Sequence, residues 1–215
     1  MKVGILWDLD GTLLDTLDDL ADAVNYALDK FGYPTLTREE VRAMVGGGAK
    51  QLVAQAVPAG ADPKPVHECF RSFYGENCRV KTAPYPGIME VLESLTRYPI
   101  AVVSNKPDGA VKDLCRHYFP GVYALGERSD CPKKPAPDMV LRAMGDIGVE
   151  KCVYVGDSEV DVRTAANVGV PCLSVLWGFR DREEIEEAGG MHFCENVADL
   201  PEKLEKMIHD LTVVE

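Results

Sequence analysis

Short apolar runs alternate with helically spaced apolar positions along most of this chain, and the two patterns predict different elements. The first run, Val3–Trp7, is apolar on both faces and stops at Asp8, which suits a strand buried on both sides. Leu17, Leu20, Ala21, Val24, Ala27, Leu28 and Phe31 then recur at helical spacing until Gly32 ends the pattern. Thr37 followed by Glu40 is a capping box, and Val41, Met44 and Val45 give the helix it opens one apolar face. Gly46, Gly47 and Gly48 break that helix, and further helices are predicted over residues 52–57 and 66–74. Between Thr16 and about Thr82 the pattern contains no strand.

The character changes after Pro84-Tyr85-Pro86-Gly87. Helices over residues 88–96, 109–118, 137–147, 160–168 and 183–188 precede apolar runs at 100–103, 122–125, 152–155, 171–176 and 191–194. A last helix carries Val197, Leu200, Leu204, Met207, Ile208 and Leu211 on one face. Such alternation predicts an α/β fold, a doubly wound parallel sheet with helices on both faces. The first strand belongs to that sheet, so the helical stretch is an insertion. The expected layout is a core of residues 1–15 and 83–215 with an α-helical cap of residues 16–82, and 84–87 as the return hinge.

Composition narrows the function. The chain has 215 residues, 46% hydrophobic and 27% charged, which is ordinary for a globular protein. No apolar run reaches the ~18 residues of a membrane span. The first run meets Asp8 too early for a secretory signal, so a cytoplasmic location is expected. Lys and Arg number 23 against 35 Asp and Glu, a net charge of -12. That field opposes nucleic acid and anionic membranes, and any anionic small molecule would need local cations. Seven Cys without C-x-x-C spacing read as reduced thiols, and four dispersed His show no metal-ligand spacing.

Ligands of open parallel sheets bind beyond the C-terminal strand ends. Four polar clusters fall there: Asp8-Leu9-Asp10-Gly11-Thr12, Ser104-Asn105-Lys106, Lys134-Pro135, and Gly156-Asp157-Ser158 with Asp161. Taken singly, each has a bland reading as a helix cap, a turn or a loop. Together they gather acidic groups that repel one another unless a divalent cation is present. Asp8 and Asp157 offer hard oxygen ligands suited to Mg²⁺, and the hydroxyls, backbone N–H groups and Lys134 offer donors to a phosphate.

In order and spacing these motifs resemble those of the haloacid dehalogenase superfamily phosphatases, over nearly the whole chain, and the helical insertion matches the family's cap. The resemblance implies a fold and a mechanism. Asp8 would be the nucleophile that forms an aspartyl-phosphate, and Asp10 the acid and then the base. Mg²⁺ would be held by Asp8, the backbone carbonyl of Asp10 and Asp157, with Asp161 orienting waters or Lys134. Gly11, Thr12, Ser104 and Asn105 would bind the phosphoryl group, and Lys134 would neutralise it. The segment Val45-Gly46-Gly47-Gly48-Ala49-Lys50-Gln51-Leu52, the loop after Lys134 and Trp177-Gly178-Phe179-Arg180 are similar to phosphoglycolate phosphatases. Lys50 and the loop's N–H groups would then meet a substrate carboxylate, with Arg180 either a further cation or a structural ion pair.

The implied partner is a small phosphorylated metabolite such as 2-phosphoglycolate, acted on by a monomer or homodimer. Asp10 argues against a dehalogenase or a phosphonatase, and the absence of His from residues 16–25 argues against a β-phosphoglucomutase. Pyrophosphatases and nucleotidases share all four motifs and remain alternatives. A non-catalytic phospho-ligand module fits poorly with a complete set of nucleophile, acid, Lys134 and metal carboxylates.

Overall fold

The computed structural model describes residues 2–213. Strand β1 (Val3–Trp7) leads through a two-residue strand, β2 (Leu14–Asp15), into four helices: α1 (Leu17–Lys30), α2 (Arg38–Met44), α3 (Ala49–Ala56) and α4 (Pro63–Asn77). The chain returns through β3 (Ala83–Pro84). Then follow α5 (Ile88–Ser94), β4 (Ile100–Pro107), α6 (Asp108–Tyr118), β5 (Tyr123–Glu127), α7 (Asp138–Asp146) and β6 (Lys151–Gly156). Last come α8 (Glu159–Val168), β7 (Cys172–Val175), α9 (Arg182–Glu187), β8 (His192–Cys194) and α10 (Leu200–Val213).

The main sheet is parallel, in the order β5-β4-β1-β6-β7-β8. It is a doubly wound α/β sheet, with successive connections running to one side of β1 and then to the other. The order reverses between β1 and β6, the place where open α/β sheets bind ligands. Ile5 pairs with Ile100 on one side of β1 and with Val153 on the other. Asp8, one residue past β1, therefore stands between the ends of β4 and β6.

Side-chain alternation divides the core between the two faces of the sheet. Ile5, Trp7, Val153 and Val155 face one apolar cluster, while Leu6, Cys152 and Tyr154 face the other. The first cluster continues into the inserted helices through Leu20, Val24, Val41, Leu52 and Phe70. The insertion is thus fused to one face of the core. The expected capping box is present at Thr37, whose hydroxyl accepts from the Glu40 N–H. All seven cysteines are unpaired. No helix among the described residues is long and apolar enough to cross a membrane.

Three features differ from the sequence pattern. Strand β4 runs past Val103 to Pro107, with Ser104, Asn105 and Lys106 buried, because polar residues that line a site end an apolar run without ending a strand. Helix α3 begins at Ala49 rather than near Leu52, since Gly48 at φ 84 supplies its N-cap. The two passages into and out of the insertion pair as β2 and β3, antiparallel, a contact too short to leave a period in the sequence.

Candidate active site

Asp8 is placed by the end of β1, where its N–H donates to Val155 O at 2.8 Å. The chain then turns back on itself, with the N–H groups of Leu13 and Leu14 both donating to Leu9 O at 3.0 Å. Gly11 makes this turn at φ 81, and a Cβ there would lie 2.2 Å from Asp157 Oδ2. Any other residue would meet both backbone strain and the carboxylate. Asp157 follows β6 and is held by Thr12 Oγ1, which donates at 3.1 Å, and by Phe179 N–H at 2.7 Å. Asp161 is the third residue of α8 and closes a second capping box. Its Oδ2 accepts from Ser158 N at 3.1 Å and from Ser158 Oγ at 2.6 Å. Its Oδ1 accepts from Lys134 Nζ at 2.8 Å.

Lys134 joins the acidic groups. Its ammonium lies 2.9 Å from Asp8 Oδ1 and donates to Tyr154 OH at 3.0 Å, while that hydroxyl donates to Val103 O at 3.1 Å. Carboxylate oxygens of Asp8, Asp157 and Asp161 lie within 4.8 Å of one another. Burial raises the Asp8 carboxyl to about 7, with Lys134 pulling down and Asp161 and Asp10 pushing further up. Burial also raises Asp157 well above the ordinary range, helped by Asp161 and Asp8. Lys134 stays charged: burial works against its charge, but Asp161 and Asp8 outweigh it. One ammonium thus faces three carboxyls, and Asp8 Oδ1 accepts no aligned hydrogen bond. An all-oxygen donor set with surplus negative charge fits a hard divalent cation.

The remaining expected residues fall into different places. Asp10, Ser104 and Asn105 line one cavity with Asp8 and Asp157. The Ser104 hydroxyl accepts from Lys106 N at 3.3 Å, and its own proton meets no acceptor among the described residues. The Asn105 amide donates to Gly46 O at 3.1 Å and to Lys134 O at 2.9 Å, so it ties the inserted helices to the core. The Thr12 hydroxyl is committed to Asp157, and Gly11 N–H donates to Leu14 O at 2.9 Å; neither residue lines the cavity.

Lys50, expected at the far end of the substrate, stands exposed on α3 and is not in the cavity wall. Helical phase is the reason: Leu52, Val53 and Ala56 face inward, which turns Lys50 outward. The glycine loop before α3 presents carbonyls to the core, Gly46 O to Asn105 and Gly47 O to Lys133 Nζ at 2.6 Å. Lys50→Ala is therefore expected to change KM for any good substrate by less than about twofold, as surface substitutions usually do. Steady-state kinetics of the purified variant checks this.

Arg180 is buried, pairs with Glu159 at 2.9 Å, and donates to the carbonyls of Arg42, Ala43 and Val45 at 3.2, 3.4 and 2.6 Å. A cation thus meets the carbonyl end of α2 and holds it to the core. It is a structural ion pair that also forms part of the cavity wall.

Lys106 belongs to the second polar cluster of the sequence but is given no role there. Its buried ammonium donates to Asp10 Oδ1 at 2.7 Å and Oδ2 at 3.0 Å, while Thr16 Oγ1 donates to the same Oδ1 at 2.6 Å. Burial opposes the charge on Lys106, but Asp10 outweighs burial and the pKa rises. Ser104, Asn105 and Lys106 all line the cavity, at the irregular end of β4, where regular strand alternation gives no guide to which side chain faces it.

Comparison with known proteins agrees with this geometry. A family described as haloacid dehalogenase-like hydrolase matches residues 5–175. A phosphoglycolate phosphatase of Pseudomonas syringae pv. tomato is 35% identical over 198 residues, 85% of this chain and 72% of that protein. One of Vibrio parahaemolyticus is 30% identical over 214 residues, 92% of this chain and 94% of that one. Among solved structures, CbbY of Rhodobacter sphaeroides in complex with phosphate is similar with a TM-score of 0.76 at 25% identity, covering 95% of this chain and 100% of that one.

Proposed function

The chain belongs to the haloacid dehalogenase-like hydrolase family, and from that premise we propose that it is a Mg²⁺-dependent phosphatase of small phosphate monoesters, with 2-phosphoglycolate the leading substrate. One observation carries this reading: Asp8 lies beside Lys134 and Asp157 at the sheet's reversal point, with Asp10 in the same small cavity. The names of the similar enzymes point to the same substrate class.

In this reading Asp8 attacks phosphorus, the bond from phosphorus to the leaving oxygen breaks, and Asp10 gives that oxygen a proton. Asp10 then takes a proton from water, whose oxygen attacks phosphorus and breaks the bond to Asp8. Inorganic phosphate leaves and Asp8 is restored. Lys134 offsets the repulsion between the Asp8 carboxylate and the phosphoryl oxygens, and Ser104 donates to one of those oxygens. Asp161 and Tyr154 hold Lys134 in place, and Thr12 and Phe179 N–H hold Asp157. Asp8, Asp157 and the backbone carbonyl of Asp10 would hold the Mg²⁺, which supplies charge neutralisation at the phosphoryl group.

The test is phosphate release from 2-phosphoglycolate, pyrophosphate, a nucleotide and a sugar phosphate, with Mg²⁺ and with EDTA. The expected result is metal-dependent release, with the highest kcat/KM for 2-phosphoglycolate. Equal turnover in EDTA would sink the metal role, and a preference for the nucleotide would sink the substrate assignment.

The raised carboxyls add a stability prediction. Asp8 and Asp157 hold protons in the folded chain that the unfolded chain gives up near its ordinary carboxylate pKa of 3.8. Unfolding then releases protons, so the stability of metal-free protein falls as pH rises from about 4 to about 7. Saturating Mg²⁺, ~100-fold above its dissociation constant, is expected to add about 2.7 kcal/mol at pH ~7.5 and much less at pH ~5, where protons compete. Calorimetric melting at both pH values checks this, and an equal effect at the two would count against it.

A further inference from the structure

Lys106 and Arg180 line the cavity and Lys134 meets its Asp8; two of these three buried cations are fully engaged. Lys134 is held by Asp8, Asp161 and Tyr154, and Arg180 by Glu159 and the carbonyls at the end of α2. Lys106 differs. Among the described residues its ammonium has a single carboxyl partner, Asp10, and it also lies against Tyr74, whose ring centroid is 4.7 Å away and whose phenol oxygen is beside it. Tyr74 comes from α4 of the insertion and is itself buried. The proton of its hydroxyl has no acceptor among the described residues, and Tyr74 lines the same cavity as Lys106, Asp10 and Asp8. A buried hydroxyl proton without an acceptor is uncommon in folded proteins and points to an acceptor supplied from outside the chain. Leu20, Leu52, Phe70 and Phe179 supply apolar parts of the same cavity.

We propose that Lys106 and Tyr74 together form the recognition site for a carboxylate on the substrate's leaving group. The inference rests on the phosphatase reading above and assigns its specificity. An ammonium and a phenol side by side offer one ionic and one neutral donor, which suits the two oxygens of a carboxylate. Their place also limits the distance to the ester. Lys106 is bonded to Asp10, the group that protonates the leaving oxygen, and so lies on the leaving-group side. A carboxylate one carbon from the ester oxygen can meet Lys106 while that oxygen meets Asp10. The substrate class is therefore the α-phosphoryloxy carboxylates of smallest size. One donor comes from the core and the other from the insertion, so the site is complete only when the two are closed on each other.

The test compares 2-phosphoglycolate with ethyl phosphate, which has the same two-carbon leaving group without the carboxylate, in wild type, Tyr74→Phe and Lys106→Met. Wild type is expected to favour 2-phosphoglycolate in kcat/KM. Tyr74→Phe removes one hydroxyl and is expected to lower that preference about tenfold, mainly through KM, with ethyl phosphate changed less than about twofold. Lys106→Met also deprives Asp10 of its partner, so both substrates slow, but the preference is expected to fall by about 100-fold. A purely structural role would slow both substrates alike. A wild type that prefers the carboxylate, with both variants keeping the same ratio, overturns the assignment of Lys106 and Tyr74 alone. A wild type with no preference for the carboxylate overturns the 2-phosphoglycolate reading as well. Should Lys106→Met fail to fold, Tyr74→Phe still decides through its ratio and its KM.

Discussion

Asp8→Asn is expected to lower kcat by ~10⁴-fold or more while the protein stays folded. The amide has the shape of the carboxyl but no electron pair able to form a bond to phosphorus at a useful rate. The environment of Asp8 makes the loss separable from misfolding. Its carboxyl is buried beside Asp161 and Asp157 and shares Lys134 with Asp161. Removing one of three crowded carboxyls relieves repulsion, so metal-free Asp8→Asn is expected to melt no lower than wild type at neutral pH. Single-turnover assays with isotopically labelled phosphate ester should show label on wild-type protein after acid quenching, and none on the variant. Turnover within about tenfold of wild type would remove Asp8 from the role of nucleophile.

Lys134→Met is expected to damage fold and activity together. Its side chain is 2% exposed and that of Asp161 is 1% exposed, so neither group has water to fall back on. Removing one partner of a buried ion pair costs about 3–5 kcal/mol, because the other charge stays behind unpaired. For a chain of this size that corresponds to a melting point lower by roughly 6–20 °C. The partner substitution separates the two effects. Asp161→Asn in the Lys134→Met background removes the orphaned charge, so part of the lost stability should return while activity should not. Calorimetry of the single and double variants measures this. A single variant that melts within about 2 °C of wild type would show that Asp8 and Asp161 do not depend on Lys134.

Much of the fold was legible in the chain because local chemistry and tertiary position agree. The run Val3–Trp7 is apolar on both faces since β1 lies at the centre of the sheet, and that is where the structure puts it. The capping box at Thr37 works through atoms three residues apart and needs no distant partner. Strand β4 was read short, since Ser104, Asn105 and Lys106 are buried for their polarity and interrupt the apolar signal. The pairing of Leu14–Asp15 with Ala83–Pro84 left no pattern at all.

For the site, residue types at strand ends sufficed to gather Asp8, Asp10, Ser104, Asn105, Lys134, Asp157 and Asp161, because the order of strands and helices already brings those ends to one edge of the sheet. They did not tell which hydrogen-bonding groups are free. Thr12 and Ser104 both carry hydroxyls near the phosphoryl position, yet one is bound to a carboxylate 145 residues away and the other keeps its proton. Lys50 and Lys106 both lie near glycine-rich or polar segments, yet helical phase turns the first outward while the second is buried against Asp10 at the end of β4. Tyr74 reads in the sequence as one more apolar position of α4, and only the tertiary fold sets it beside Lys106.

The amino-acid sequence by itself determined the elements, their order and the set of acidic and basic groups at the strand ends, since these follow from period and position along the chain. Tertiary structure alone decided which of those groups still has a free donor or acceptor and which is already used. Each polar atom makes a small, fixed number of hydrogen bonds, and its partners here lie tens of residues away in the chain.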